Sequence, residues 1–139
     1  VGPSGRVLTV EQDRAASTLA AVNLADLPQV LAVADRVDAM LSRPVDPLPE
    51  GRSAVDAVVL DPPRSGAGPE VCRRIAERGP AVIVYVACDP AALGRDTAVL
   101  LSSGYRLERL EAFDCFPQTH HVECVARFVP AAPINSSPR

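Results

Sequence analysis

Ala81–Val86 reads AVIVYV, six residues with no charge and a high content of β-branched side chains. Such a run is too short for a lone helix, and Val and Ile suit an extended backbone. A continuous apolar run, as opposed to an alternating one, is expected of a strand covered on both faces, as in a parallel sheet. Directly after it come Cys88 and then Asp89-Pro90, with only Ala87 between. Asp is a strong N-cap, and Pro is well tolerated as a first helical residue. The stretch therefore predicts a strand, a short turn and a helix reaching about Ser102, closed by Gly104.

Working outward, the same alternation recurs. Upstream, Val55–Leu60 (VDAVVL) is a strand running into the turn-rich DPPRSGAG, and Pro69 opens a helix to about Arg78. Further upstream lie a strand Arg6–Val10 ending at the acid Glu11, and a helix Asp13–Leu24 capped by Asp13. In that helix Ala16, Leu19, Ala20 and Asn23 recur at helical spacing. Val30–Val33 is a short strand, Asp35–Leu41 one or two helical turns, and the proline-rich Ser42–Ser53 a surface loop. Downstream, Tyr105–Phe113 and His121–Val129 read as strands. The latter sets Val122, Cys124 and Ala126 against His121, Glu123 and Arg127. Pro130–Arg139 is a Pro/Ser/Asn-rich tail expected to be disordered, which leaves residues 1–129 as one domain. The order predicts an α/β fold: a mostly parallel, doubly wound, Rossmann-like sheet with an antiparallel C-terminal strand pair. In such sheets ligands bind at the C-terminal ends of the strands.

Composition narrows the classes. The chain has 139 residues and a net charge of −3, without a basic block. That argues against this segment gripping an RNA backbone strongly by itself. No apolar run approaches the length of a membrane span, and no secretory leader is expected. The four cysteines (Cys72, Cys88, Cys115, Cys124) form no CxxC pair, so free thiols in a cytoplasmic protein are expected. His120 and His121 face opposite ways on a strand, which makes a poor metal pair, and no metal is expected.

Several residues at strand ends carry possible chemistry, each beside an ordinary structural reading. Glu11 can accept hydrogen bonds from ribose hydroxyls, or simply sit in solvent ahead of a helix. Asp61, in Asp61-Pro62-Pro63-Arg64, is aimed outward by two stiff prolines, or belongs to a plain Asx turn. Cys88 stands where helix N–H groups favour a thiolate while the neighbouring Asp89 opposes one, or is a small buried hydrophobe. Glu123 is a base on a strand, or an exposed edge acid.

Three segments together are more specific. Asp61-Pro62-Pro63-Arg64-Ser65-Gly66, Tyr85-Val86-Ala87-Cys88-Asp89-Pro90 and Phe116-Pro117-Gln118-Thr119-His120-His121-Val122-Glu123 occur in that order, each at a strand end. They resemble the DPPRxG, Y-x-S-C-N-P and FPxTxHVE motifs of the RNA uracil-C5 methyltransferases, which make 5-methyluridine in tRNA and rRNA. The resemblance covers residues 1 to about 129. It departs from the family at Ala87 for Ser, Asp89 for Asn and Ala92 for a usual Thr.

The resemblance implies a methyltransferase dependent on S-adenosyl-L-methionine. Cys88 would be the nucleophile and Glu123 the base, oriented by His121. Glu11 would lie at the cofactor ribose, Asp35 on the adenine side and Asp61 at the junction of cofactor and base. The partner would be tRNA or rRNA, engaged by a longer protein. The family's glycine-rich cofactor loop is expected ahead of residue 1, so little activity is expected of these residues alone. Competing readings are another S-adenosylmethionine methyltransferase with a DPP-type loop, a non-catalytic interaction module, and a Cys-His hydrolase.

Overall fold

A computed structural model of the chain describes residues 1–43, 55–115, 117–119 and 122–131. They fall in two compact units, Val1–Gly51 and Arg52–Arg139. The order of elements is the alternation expected from the sequence. The loop assigned to Ser42–Ser53 lies mostly outside the described residues, as does the tail beyond Ala131.

In Val1–Gly51, strand β1 (Val7–Glu11) pairs in parallel with β2 (Val30–Ala34), joined through helix α1 (Arg14–Asn23); α2 (Val37–Leu41) follows β2. The predicted cap is present: the Asp13 carboxylate accepts from the Ala16 N–H at 2.8 Å. The inward face of α1 differs from the expected one. Ser17 is buried, with Ala20 and Leu24 half-buried, whereas Leu19 is 63% exposed. Of the expected stripe Ala16, Leu19, Ala20 and Asn23, only Ala20 faces inward, with Ser17 and Leu24 in place of the others. Ser17 and Ala20 are small, and small residues on the contact stripe let a helix lie close to the strands it crosses.

In Arg52–Arg139 the strand order is β3 (Ala57–Leu60), β4 (Val82–Ala87), β6 (Glu123–Pro130), β5 (Tyr105–Phe113). The β3–β4 pair is parallel; β4–β6 and β6–β5 are antiparallel. The last strand therefore inserts between β4 and β5. Residue chemistry accounts for this order. β6 presents Cys124, Ala126 and Phe128 to the core, all at most 6% exposed, whereas β5 carries Arg106, Glu108, Arg109 and Glu111. The more apolar strand takes the interior place and the charged one the edge, where charge also discourages pairing with another chain. A bulge between Leu107 and Arg109 breaks the β5 ladder, and Glu108 there pairs with Arg106 and with Arg127 of β6.

β4 corrects the expectation of full coverage on both faces. Ile83, Tyr85 and Ala87 are at most 4% exposed, while the alternate Val82, Val84 and Val86 are half-buried. Helix α4 (Pro90–Ser102) packs on β4 and β5, and α3 (Pro69–Glu77) packs on α4. Asp89 and Pro90 cap and open α4 as expected, and Gly104 leaves it with φ 90°. Ile75, Ile83, Leu100 and Phe128 are fully buried, each contributing roughly 1.5–3 kcal/mol through removal from water. The Tyr105 hydroxyl donates to the Pro80 carbonyl at 2.8 Å, stitching the start of β5 to the residues that lead into β4.

Cys72 of α3 is 0% exposed. Burial pushes its thiol up to about 12, and the negative charge of Asp96 adds to the effect. The unfolded chain would release this proton near the ordinary value of 9.0, well before the folded chain does. The stabilisation is therefore complete below that value and declines as pH rises toward the folded value. Urea unfolding of the full-length protein should show lower stability at about pH 11 than at about pH 8. Cys72→Ala should reduce that loss; an unchanged difference between the two pH values would contradict the assignment. Tyr85, whose hydroxyl is also pushed up by burial and by Asp96, should keep part of the loss in the variant.

Candidate active site

The sheet register brings Cys88 and Glu123 to one place. In the antiparallel β4–β6 pair, Ala87 faces Cys124. Cys88 follows Ala87 directly beyond the end of β4, and Glu123 precedes Cys124 at the start of β6, so the two flank the last rung of the β4–β6 ladder. Both residues are half-buried, so they are held by the sheet yet reachable. Glu123 shares its face of β6 with Val125 and Arg127, while Cys124 turns to the core.

The four thiols differ in ways that single out Cys88. Cys72 and Cys124 are buried, and burial raises both thiols; for Cys124 the adjacent Glu123 adds to this. Cys115 is exposed in the segment after β5. Cys88 alone stands at a strand end directly ahead of a helix N-cap. The departure at Asp89 has a clear local use. Its Oδ1 accepts from the Ala92 N–H at 2.7 Å, so its negative charge is directed into the first turn of α4. Asp and Asn are comparable N-caps, which makes the exchange a mild one for the helix.

Asp61 follows β3 directly, one residue past the Leu60–Tyr85 pair. It therefore lies at the same end of the sheet as Cys88. The turn after it is closed by the Gly66 N–H donating to the Pro63 carbonyl at 2.8 Å. Gly66 has φ 87°, and a Cβ there would lie 2.7 Å from Asp96 Oδ2. Glycine is thus required at this position on both backbone and steric grounds.

Glu11 and Asp35 lie together in the other unit, at the C-terminal ends of β1 and β2. The Asp35 N–H donates to the Glu11 carbonyl at 3.1 Å. Glu11 Oε1 accepts from the Asp13 N–H at 2.7 Å. Asp35 is more committed: Oδ1 accepts from the Arg36 N–H and Oδ2 pairs with Arg43, each at 2.8 Å. The sequence motif around Phe116 is only partly described, and His121, expected to orient Glu123, lies outside the described residues. Within the described part, Gln118 adopts φ 68°, an uncommon left-handed conformation for a residue with a Cβ.

One group escaped the sequence reading. Asp96 is 3% exposed on the inward stripe of α4 with Ala92, Leu93 and Leu100. Its Oδ2 accepts from Tyr85 Oη at 2.5 Å, from the Ala67 N–H at 2.8 Å and from the Gly68 N–H at 3.2 Å. An acid falling in the apolar stripe of a helix was the available signal, since such a group persists in a core only with partners.

Residues 49–128 match the family model described as tRNA (Uracil-5-)-methyltransferase. The chain belongs to this family. It is 45% identical over 132 residues to an uncharacterized RNA methyltransferase of Streptomyces avermitilis, covering 95% of this chain and 29% of that protein. It is 46% identical over 122 residues to the 23S rRNA (uracil(1939)-C(5))-methyltransferase RlmD of Pseudomonas fluorescens, covering 83% of this chain and 24% of the relative. Among solved structures it resembles the Pyrococcus abyssi tRNA (uracil-54, C5)-methyltransferase in complex with S-adenosyl-L-homocysteine. That match has a TM-score of 0.70 at 30% identity over 89% of this chain and 29% of that one. The α/β architecture is accordingly the Rossmann-like class I methyltransferase fold. The chain spans less than a third of the length of these relatives.

Proposed function

We propose that the full-length protein methylates C5 of a uridine in tRNA or rRNA, with S-adenosylmethionine as cofactor, Cys88 as nucleophile and Glu123 as base. The observation supporting this reading is the β4–β6 register, whose last rung, Ala87–Cys124, is flanked by a half-buried thiol and a half-buried carboxylate at the strand ends. The family match and the uracil-C5 specificity named for the relatives support the substrate class.

The chemistry explains why both groups are needed. Uracil C5 is a weak nucleophile. Addition of the Cys88 thiolate to C6 forms a C–S bond and moves the C5–C6 π electrons toward the C4 carbonyl, giving C5 enolate character. S-adenosylmethionine, when bound, supplies an electrophilic methyl group to that carbon. The Glu123 carboxylate then takes the C5 proton, the C5–C6 double bond re-forms, and the C–S bond breaks to release the thiolate. Reaching C6 requires the base to leave its stack.

The residues of Val1–Gly51 suit the cofactor. Two carboxylates, Glu11 and Asp35, end adjacent parallel strands, a place and chemistry matched to ribose hydroxyls and a polar purine edge. Glu11 would hold the ribose and Asp35 the adenine side, while Asp61 would stand at the junction of cofactor and target base.

Digestion of RNA after incubation with the full-length protein and methyl-labelled S-adenosylmethionine should place the label in 5-methyluridine. Label confined to another nucleoside, or on the ribose, would overturn the reading.

A further inference from the structure

We propose, building on the function proposed above, that Asp96 is a positioning residue for methyl transfer. Its carboxylate sets the turn that carries Asp61 against the helix that begins beside Cys88. Three elements meet at one oxygen. Asp96 belongs to α4, Tyr85 to β4, and Ala67 and Gly68 to the end of the turn that starts at Asp61. The Ala67 N–H also lies 3.0 Å from Tyr85 Oη, so the turn, the strand and the helix share one hydrogen-bonded cluster.

The cluster reaches the site through short, stiff connections. At one end of the turn, Asp61 is fixed by β3. At the other, Ala67 and Gly68 are held by Asp96. Between them Pro62 and Pro63 have restricted φ, and the Gly66–Pro63 hydrogen bond closes the loop internally. A shift at Ala67 is thereby passed back to Asp61 with little slack. On the other side, Asp96 lies about two helical turns, or roughly 10 Å, along α4 from its N-terminus, where Cys88 and Asp89 stand. Tyr85 precedes Cys88 by three residues on the same strand exit. Gly66 leaves the space that Asp96 Oδ2 occupies.

Asp96 also serves a purely architectural end. The α3 N-cap is Gly68, which has no side chain to offer, and the Asp96 carboxylate meets the N–H groups there. Stability alone therefore does not test the proposal, and kinetics must. In the full-length enzyme, Asp96→Asn should lower kcat for RNA methylation about tenfold or more per folded molecule, with KM for RNA and for S-adenosylmethionine within about twofold of wild type. Tyr85→Phe removes one hydroxyl from the cluster and should lower kcat about threefold or more in the same pattern. If Asp96→Asn fails to fold, Tyr85→Phe decides the question. Kinetic constants at wild-type values per folded molecule, in whichever variant folds, would leave Asp96 as a helix cap only and overturn the proposal. Wild-type protein inactive on uridine C5 would instead overturn the functional reading on which the proposal rests.

Discussion

Cys88→Ala in the full-length protein is expected to lose methyl transfer by about a thousandfold or more, because in the proposed mechanism Cys88 supplies the C–S bond. The same variant should form no stable covalent complex with RNA containing 5-fluorouracil. In the proposed mechanism the wild-type thiolate would add to C6 of that substrate analogue and C5 would accept a methyl group, but fluorine cannot leave as a proton does. The adduct therefore persists and survives denaturing electrophoresis. A persisting adduct in Cys88→Ala would assign the nucleophile to another residue. The remaining thiols make poor substitutes: Cys72 and Cys124 are buried with raised thiols, and Cys115 is exposed in the segment after β5, ahead of no helix. Binding of RNA should survive the substitution, because removing a sulfur at a half-exposed strand end leaves the buried core intact.

Glu123→Gln is expected to fail at a later step and in the opposite manner. The amide is close in size and keeps a hydrogen-bonding oxygen, so thiolate addition and methylation of C5 should proceed. The amide is too weak a base to take the C5 proton, so the C–S bond has no electron pair to expel it. The variant should accumulate a covalent complex with ordinary uridine RNA, carrying one labelled methyl group, while multiple turnover falls by about a hundredfold or more. This contrast separates the two roles: loss of the nucleophile removes every adduct, and loss of the base preserves one. Release of free 5-methyluridine RNA at the wild-type rate by Glu123→Gln would exclude Glu123 as the base.

The alternation of strands and helices was legible because local chemistry and tertiary packing agree. AVIVYV has the composition of a strand, and the Asp89-Pro90 and Asp13 caps satisfy N–H groups that every helix N-terminus leaves open. Cys88, Glu123 and Asp61 were legible from ordered motifs at strand ends. What brings Cys88 and Glu123 to the same end of the β4–β6 ladder was not. That requires β6 to lie beside β4, and nothing local to either strand states which neighbour it takes. The inward face of α1 was legible only at Ala20: Leu19 has the chemistry of an anchor but is exposed, and the small Ser17 is buried instead. Asp96 stayed hidden because charge normally marks a solvated helix face. Its partners, Tyr85, Ala67 and Gly68, lie 11 to 29 residues away in sequence, and only the fold assembles them.

The bulge in β5 has a consequence for fidelity. A one-residue slip of an antiparallel strand turns every side chain to the opposite face. Were β6 to slip by one residue against β4, the face carrying Cys124, Ala126 and Phe128 would leave the core. The extra residue of this sheet falls at Glu108, on the outermost strand, while the β4–β6 ladder runs without interruption from Ile83–Phe128 to Ala87–Cys124. The irregularity is absorbed at the rim. The pair of strands whose ends carry Cys88 and Glu123 is left as a fixed ruler.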